Sequence, residues 1–450
     1  MVLSGGLLAL PGRQELVRAD IRVSNGRIAD ISPSVLPARG EERIDLSGHH
    51  LFPGAIDPHV HFDTPGFEHR EDFIHGSQAA ARGGVTTVID MPCTSLPPVT
   101  TLDNFRTKLD AIRSKSVVDF ALFGGVSGAV IEDSLSRHMA ELAPYVVGFK
   151  SYFISGMESF PRLTHYDFAR AAAKADEVGR PLLLHAEDFD YIDAATTSAR
   201  NRGGERWADY VAARPEAAEL VAAASAAALA RGHAHSLHVV HVGTADAAEL
   251  LHAAGASCET CPHYLAFTSA DFDRLGSSLK TAPPVKSPGE RERLWVLLAS
   301  GAISFAASDH APAPAAEKHT GSIWTDYGGI PGTGTLFPYL YSEGYRAGRI
   351  GLPRFLEIVS GGAARRYGLF ARKGSIEVGK DADLVAVDPE GSYTVRGTEL
   401  LSKGTITPFE GMRLTGAVAR TFLRGVAVWD KNEGILVDPG TGIYLQWGSA

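Results

Sequence analysis

Between Leu51 and about residue 370 one pattern repeats: a short apolar run, then a longer alanine-rich stretch such as AAELVAAASAAALARG. Eight apolar runs can be counted. They are HLFPGAID, VTTVIDM (Val85 to Met91), VDFALFGG (Val118 to Gly125) and VVGFKSYF (Val146 to Phe153), followed by PLLLHAED (Pro181 to Asp188), SLHVVHVG (Ser236 to Gly243), ASCETCPHYL (Ala256 to Leu265) and ISFAASDH (Ile303 to His310). Strands alternating with helices build parallel sheets, because parallel neighbours need a crossover connection. Eight such units predict an α/β fold of the (β/α)8 TIM barrel type. A doubly wound open sheet is the alternative, but no glycine-rich phosphate loop follows the first run.

The two ends of the chain have a different texture. Near the start, ADIRVSNGRIADI carries Asn25-Gly26 between alternating apolar residues, a strong hairpin signal. Strand-like patterns return after about Gly374, in GSIEVGKDADLVAVD and VARTFLRGVAVWD. The expected organisation is therefore a barrel over residues 53–373, with residues 1–52 and 374–450 pairing into one small β domain. A net charge of −9 argues against nucleic acid or an anionic membrane as partner. Three cysteines are too few for a disulfide framework. The segment after Met1 is a poor signal peptide, and no apolar run reaches membrane-spanning length. A cytoplasmic, reduced enzyme is expected.

A barrel gathers the C-terminal ends of its strands on one face, where active sites form. The candidate strands end in His59 and His61, Lys150, His185, His241 and Asp309. Residues at i and i+2 share a strand face, so His59 and His61 can converge. Any one of these histidines could be an ordinary core residue. Six ligand-type residues at strand ends point to a metal centre. Lys150 is the unusual member. Buried lysines lose their proton readily, and a neutral amine can add CO2 to give an anionic carbamate able to bridge two metals. An ion pair with Asp309 is the other reading.

The motifs DPHVHF, GFKSYF, LLLHAED, LHVVHV, ETCPHYL and ASDHAP together resemble the series of the cyclic amidohydrolases, the group of dihydroorotase, allantoinase, hydantoinase and dihydropyrimidinase. The resemblance runs in order along nearly the whole chain. It implies two zinc ions per subunit in a barrel, with a β-sandwich made from both chain ends. One metal would take His59, His61 and Asp309, the other His185 and His241. Lys150, carboxylated on its amine, would bridge them, and a shared hydroxide would attack the substrate. The resemblance also implies a homodimer or homotetramer. Some members of the superfamily have lost their ligands and act as structural proteins, but all six positions are intact here.

Dihydroorotases of this group carry an arginine after HxH-apolar and an asparagine after MP, both holding a carboxylate. Here these places are Asp63 and Cys93. The expected substrate is therefore a small neutral cyclic amide. DMPCTSLPPVTTLDNF, DYVAARPEAAEL and WTDYGGIPG are similar to allantoinase segments, with Thr94 a departure. VDFALFGG and KTAPPVKS are similar to hydantoinases. Asp309 is the expected proton shuttle and Tyr152 a candidate for the oxyanion. Asp63, Thr94 and His263 are candidate substrate contacts. So is the loop GGIPGTGT, through Gly329 and Pro331, whose backbone suits a ring amide. Cys258 and Cys261 form a CxxC with no second pair, so a packing role is expected.

Overall fold

The computed structural model describes residues 1–449. All eight apolar runs carry a barrel strand: β1 (Ala55–Val60), β2 (Val85–Asp90), β3 (Asp119–Leu122), β4 (Phe149–Tyr152), β5 (Leu182–His185), β6 (Leu237–Val239), β7 (Ser257–Thr260) and β8 (Phe305–Ala306). Neighbours pair in parallel, β1 to β3 in one sheet and β4 to β8 in another. Backbone hydrogen bonds carry the sheet across both gaps. Beyond β3, Gly124 and Gly125 pair with Phe149 and Lys150. At the other gap Val60 bridges His310, and the His61 amide donates to the His310 carbonyl at 2.8 Å. Each barrel strand is almost wholly buried, which explains runs that are apolar on both faces.

The outer helices follow their alanines. His165–Glu177 buries Phe168, Ala171, Ala172 and Ala175, and Glu216–Leu229 buries Ala218, Ala222, Ala223 and Ala226. Small residues let these helices lie close to the sheet. Thr164 and Ser287 cap their helices through side-chain oxygens.

One expected strand divides. In HLFPGAID the first half, His50–Pro53, leaves the barrel and pairs antiparallel with Leu384–Thr394. Ala55 opens the barrel strand. Gly54 marks the break, and a Cβ there would lie 2.1 Å from Thr86 Oγ1, so only glycine permits this crossing. His50–Pro53 belongs to a seven-stranded sheet in which four strands from the C-terminal segment lie side by side and continue, through this pairing, into three from the N-terminal segment. A four-stranded sheet from the N-terminal segment completes the sandwich, and Leu3, Ile21, Ile28, Leu51, Leu384 and Phe422 pack together there. Its hairpin turns at Asn25 (φ 52°) and Gly26 (φ 75°), the left-handed pair a two-residue turn requires. The tail then returns to the barrel: Tyr444 bridges Phe120 of β3. Among the described residues no helix is long and apolar enough to cross a membrane.

Candidate active site

His59 lies one residue before the end of β1 and His61 one residue beyond it. Their Nε2 atoms stand 3.2 and 3.4 Å from the same oxygen of Asp309. The His241 ring lies 5.3 Å from that of His59, and His241 Nε2 is 2.9 Å from His185 Nδ1. Lys150 is the second residue of β4, fully buried, and its Nζ has no hydrogen-bond partner. It sits 4.8 Å from the centre of the Tyr152 ring. All six expected ligands line one cavity of about 510 Å³, together with Thr94 and Tyr152. His241 and Asp309 have φ of 41° and 51°, left-handed values unusual for such residues, so the strand ends hold strained backbone where the chemistry gathers.

The donor set suits divalent cations. Burial holds His59 and His241 well below the usual imidazole range, so both are neutral and able to ligate. Burial opposes the charge on His61 too, but hydrogen bonding to Asp309 and Cys93 lifts it to about 10. Burial would raise Asp309, yet the neighbouring imidazoles hold it well below the usual carboxylate range. Burial also lowers Lys150 to about 8. The outward nitrogens are tied down: His59 Nδ1 to Glu259 at 2.7 Å, His185 Nε2 to Glu187 at 3.0 Å, and His61 Nδ1 to Thr94 at 3.3 Å. Such partners fix the ring so that the other nitrogen faces inward.

The sequence profile of the amidohydrolase family matches residues 50–428. The chain belongs to that family. This amidohydrolase is 38% identical over 440 residues to the allantoinase of Rubrobacter xylanophilus, covering 96% of this chain and 94% of that one. It is 32% identical over 449 residues to an Escherichia coli allantoinase, covering 98% and 97%. Among solved structures, L-hydantoinase (dihydropyrimidinase) from Arthrobacter aurescens superposes with a TM-score of 0.94 at 32% identity over 99% of both chains. The protein is an enzyme, a cyclic amidohydrolase.

Four expected substrate contacts stand elsewhere. Asp63, His263, Gly329 and Pro331 do not line the cavity of this amidohydrolase. Asp63 is fully buried behind it with both carboxylate oxygens unpartnered, and burial raises it to about 7. His263 packs on Tyr264, ring centres 4.2 Å apart, and burial lowers it to about 4. Gly329 is a packing glycine, since a Cβ there would lie 2.3 Å from the Ala311 carbonyl oxygen. Pro331 is buried beside it. The loop does reach the cavity, but one residue earlier, at Gly328. Cys258 and Cys261 are free and buried.

Sequence reading missed the supporting carboxylates. Glu259 accepts from both His59 and, at 3.2 Å, His238. Glu187 joins His185 to the Arg214 guanidinium, 3.4 Å away. The signal was present: a carboxylate inside the apolar run SCET, and another two residues after His185. Glu259→Gln is expected to weaken metal binding roughly tenfold to a hundredfold, as loss of such a partner usually does. Competition with a chelator measures it, and unchanged affinity would make Glu259 a packing residue only.

Proposed function

We propose that the protein opens the ring of a small neutral cyclic ureide, allantoin first, to give the linear carboxylate allantoate. The observation that carries this is the meeting of four imidazoles, Asp309 and Lys150 in one cavity. Relatives named allantoinase, matching nearly the full chain, support allantoin as the ring. Zinc, or another divalent metal, would be held by His59, His61 and Asp309 at one position and by His185 and His241 at a second, with carboxylated Lys150 between them. Bound there, the cations would lower the pKa of water and polarise the ring carbonyl.

The side chains do the rest. Asp309 lines the cavity with its carboxylate ionised, so it can take the proton of the attacking water and return it to the departing ring nitrogen. The Tyr152 hydroxyl, 3.0 Å from Cys93 Sγ, faces the same space and can donate to the oxyanion. Both cavity arginines already have acids: Arg70 holds Glu317 at 2.7 Å, and Arg214 holds Glu187. Neither is left free for a substrate carboxylate. The reason to expect a neutral substrate therefore lies with these pairs, and not with Asp63.

The test is a hydrolysis panel of allantoin, hydantoin, dihydrouracil and dihydroorotate with metal-loaded enzyme. Allantoin is expected to lead. Dihydroorotate should trail by at least about a hundredfold in kcat/KM, since an unmatched buried carboxylate costs several kcal/mol. Fast turnover of dihydroorotate would mean that one arginine pair opens to receive it. A lead by hydantoin or dihydrouracil would favour the second reading, a hydantoinase, which the superposition on L-hydantoinase supports.

A further inference from the structure

Two buried lysines hold the rim of the cavity, Lys280 as one of its lining residues and Lys318 outside that lining, and neither forms an ion pair. Lys280 is 5% exposed and Lys318 is 1% exposed. Lys280 Nζ donates to the carbonyls of Ile323 at 2.6 Å and Asp326 at 2.5 Å, with that of Trp324 at 3.4 Å. Lys318 Nζ donates to the carbonyls of Tyr327 at 3.0 Å and Gly329 at 2.9 Å. Burying an ammonium without a carboxylate is expensive, so the arrangement calls for a reason. The gathered carbonyls all belong to one loop, and Trp324, Asp326, Tyr327 and Gly328 of that loop line the cavity.

The direction of each carbonyl fixes the direction of the amide beside it. In a trans peptide the C=O and the following N–H point opposite ways. The Tyr327 carbonyl turns inward to Lys318, so the Gly328 N–H turns away from it. The two preceding amides are occupied, Asp326 N–H donating to the Ser322 carbonyl and Tyr327 N–H to that of Glu317, and Gly329, whose N–H is also without a partner, is buried outside the cavity lining. The Gly328 N–H makes no hydrogen bond within the protein, and Gly328 lines the cavity.

We infer that Lys280 and Lys318 are positioning residues for substrate binding: they turn the rim carbonyls away from the cavity and leave the Gly328 N–H as a donor for a carbonyl of the bound ring. This rests on the cavity being the site where the ring binds. A lysine suits the task because its three donors can collect several carbonyls at once. Methionine has similar length and no donor.

Lys280→Met and Lys318→Met test it. KM is expected to rise about tenfold in each, the effect of one weakened hydrogen bond, with kcat within about threefold and metal content unchanged. Hydrogen exchange of the 322–329 amides should quicken by at least about tenfold in each variant. KM within twofold of the starting enzyme, or exchange unchanged in this segment, overturns the inference. So does a fall in kcat and metal content at constant KM, which would mark a general structural role. Exchange needs no substrate. If no ring in the panel is turned over at all, the proposed function fails while exchange still decides this inference. If the lysine variants do not fold, Gly328 decides. A Cβ there meets only the Thr281 carbonyl carbon, at 4.0 Å, so alanine fits, and a folded Gly328→Pro is confirmed by its circular dichroism and metal content before it is compared. Gly328→Pro removes the donor and should raise KM at least fivefold more than Gly328→Ala, which keeps it. Equal values for the two would overturn the assignment.

Discussion

Lys150→Ala is expected to strip most of the bound metal and lower kcat by roughly a thousandfold or more, since the charge stabilisation a metal pair supplies amounts to several kcal/mol. The amine is fully buried at the floor of the cavity with no hydrogen-bond partner. An ion pair with Asp309, the other reading of the sequence, is not formed: Asp309 is taken by His59 and His61. A lone buried ammonium beside four imidazoles would repel cations. A carbamate reverses the sign: the amine nitrogen bonds to the carbon of CO2, one proton leaves, and two anionic oxygens result. Only the neutral amine reacts. Burial brings Lys150 to about 8, so the reactive fraction grows as pH rises through that value. Metal uptake by stripped enzyme should accordingly need bicarbonate and be faster at about pH 9 than at about pH 6. Intact mass under native conditions should show the added CO2, and short carboxylic acids should partly restore Lys150→Ala. Two metals retained by Lys150→Ala, or an unmodified Lys150 in metal-loaded protein, would remove the lysine from the centre.

The barrel and the meeting of the six candidate ligands in one cavity were legible because both follow from strand periodicity. A parallel strand buried on both faces reads as an apolar run, and its end is where the first polar residues appear. His185 is the last residue of its strand, and His241 and Asp309 lie just past theirs. The sandwich was legible as texture only. That HLFPGAID serves two sheets could not be read from apolar spacing, because the pattern continues unbroken through Gly54. Substrate contacts were the weakest part. Asp63 follows from the family resemblance, His263 from its place at a strand mouth, and Gly329 and Pro331 from a glycine-rich loop, but a residue just past a strand can turn behind the wall as readily as into the cavity. Asp63, with a left-handed φ of 52°, does so. Lys280 and Lys318 carried no sequence signal, since their partners are backbone carbonyls some forty and ten residues away.

Asp309→Asn is expected to lower kcat by at least about a hundredfold, in the range of a lost general base, and to lower kcat/KM by a similar factor. Ring opening needs two proton transfers: one from the attacking water, one to the departing ring nitrogen, which otherwise leaves as a poor anion. One carboxylate can do both in turn if it is ionised at rest and within reach. Asp309 lines the cavity and is held well below the usual carboxylate range. Its left-handed backbone is fixed by the neighbouring residue, because the His310 amide donates to the His59 carbonyl at 3.2 Å and the His310 side chain is pinned between Glu71 and the Gly332 amide. The carboxylate is therefore preorganised, with little freedom to swing elsewhere. Asparagine keeps the shape and one inward oxygen but cannot accept the proton. A group acting only in the transition state shows as parallel loss in kcat and kcat/KM, whereas a group needed only for metal shows as lost metal. Steady-state kinetics and metal content measured on the same sample separate the two. Near-normal kcat with both metals bound would exclude Asp309 as the base. His263 and His310, the next ionisable side chains, do not line the cavity. The proton would then leave through Asp326, the other carboxylate lining the cavity, or through solvent, and in the second case kcat would come to depend on buffer concentration.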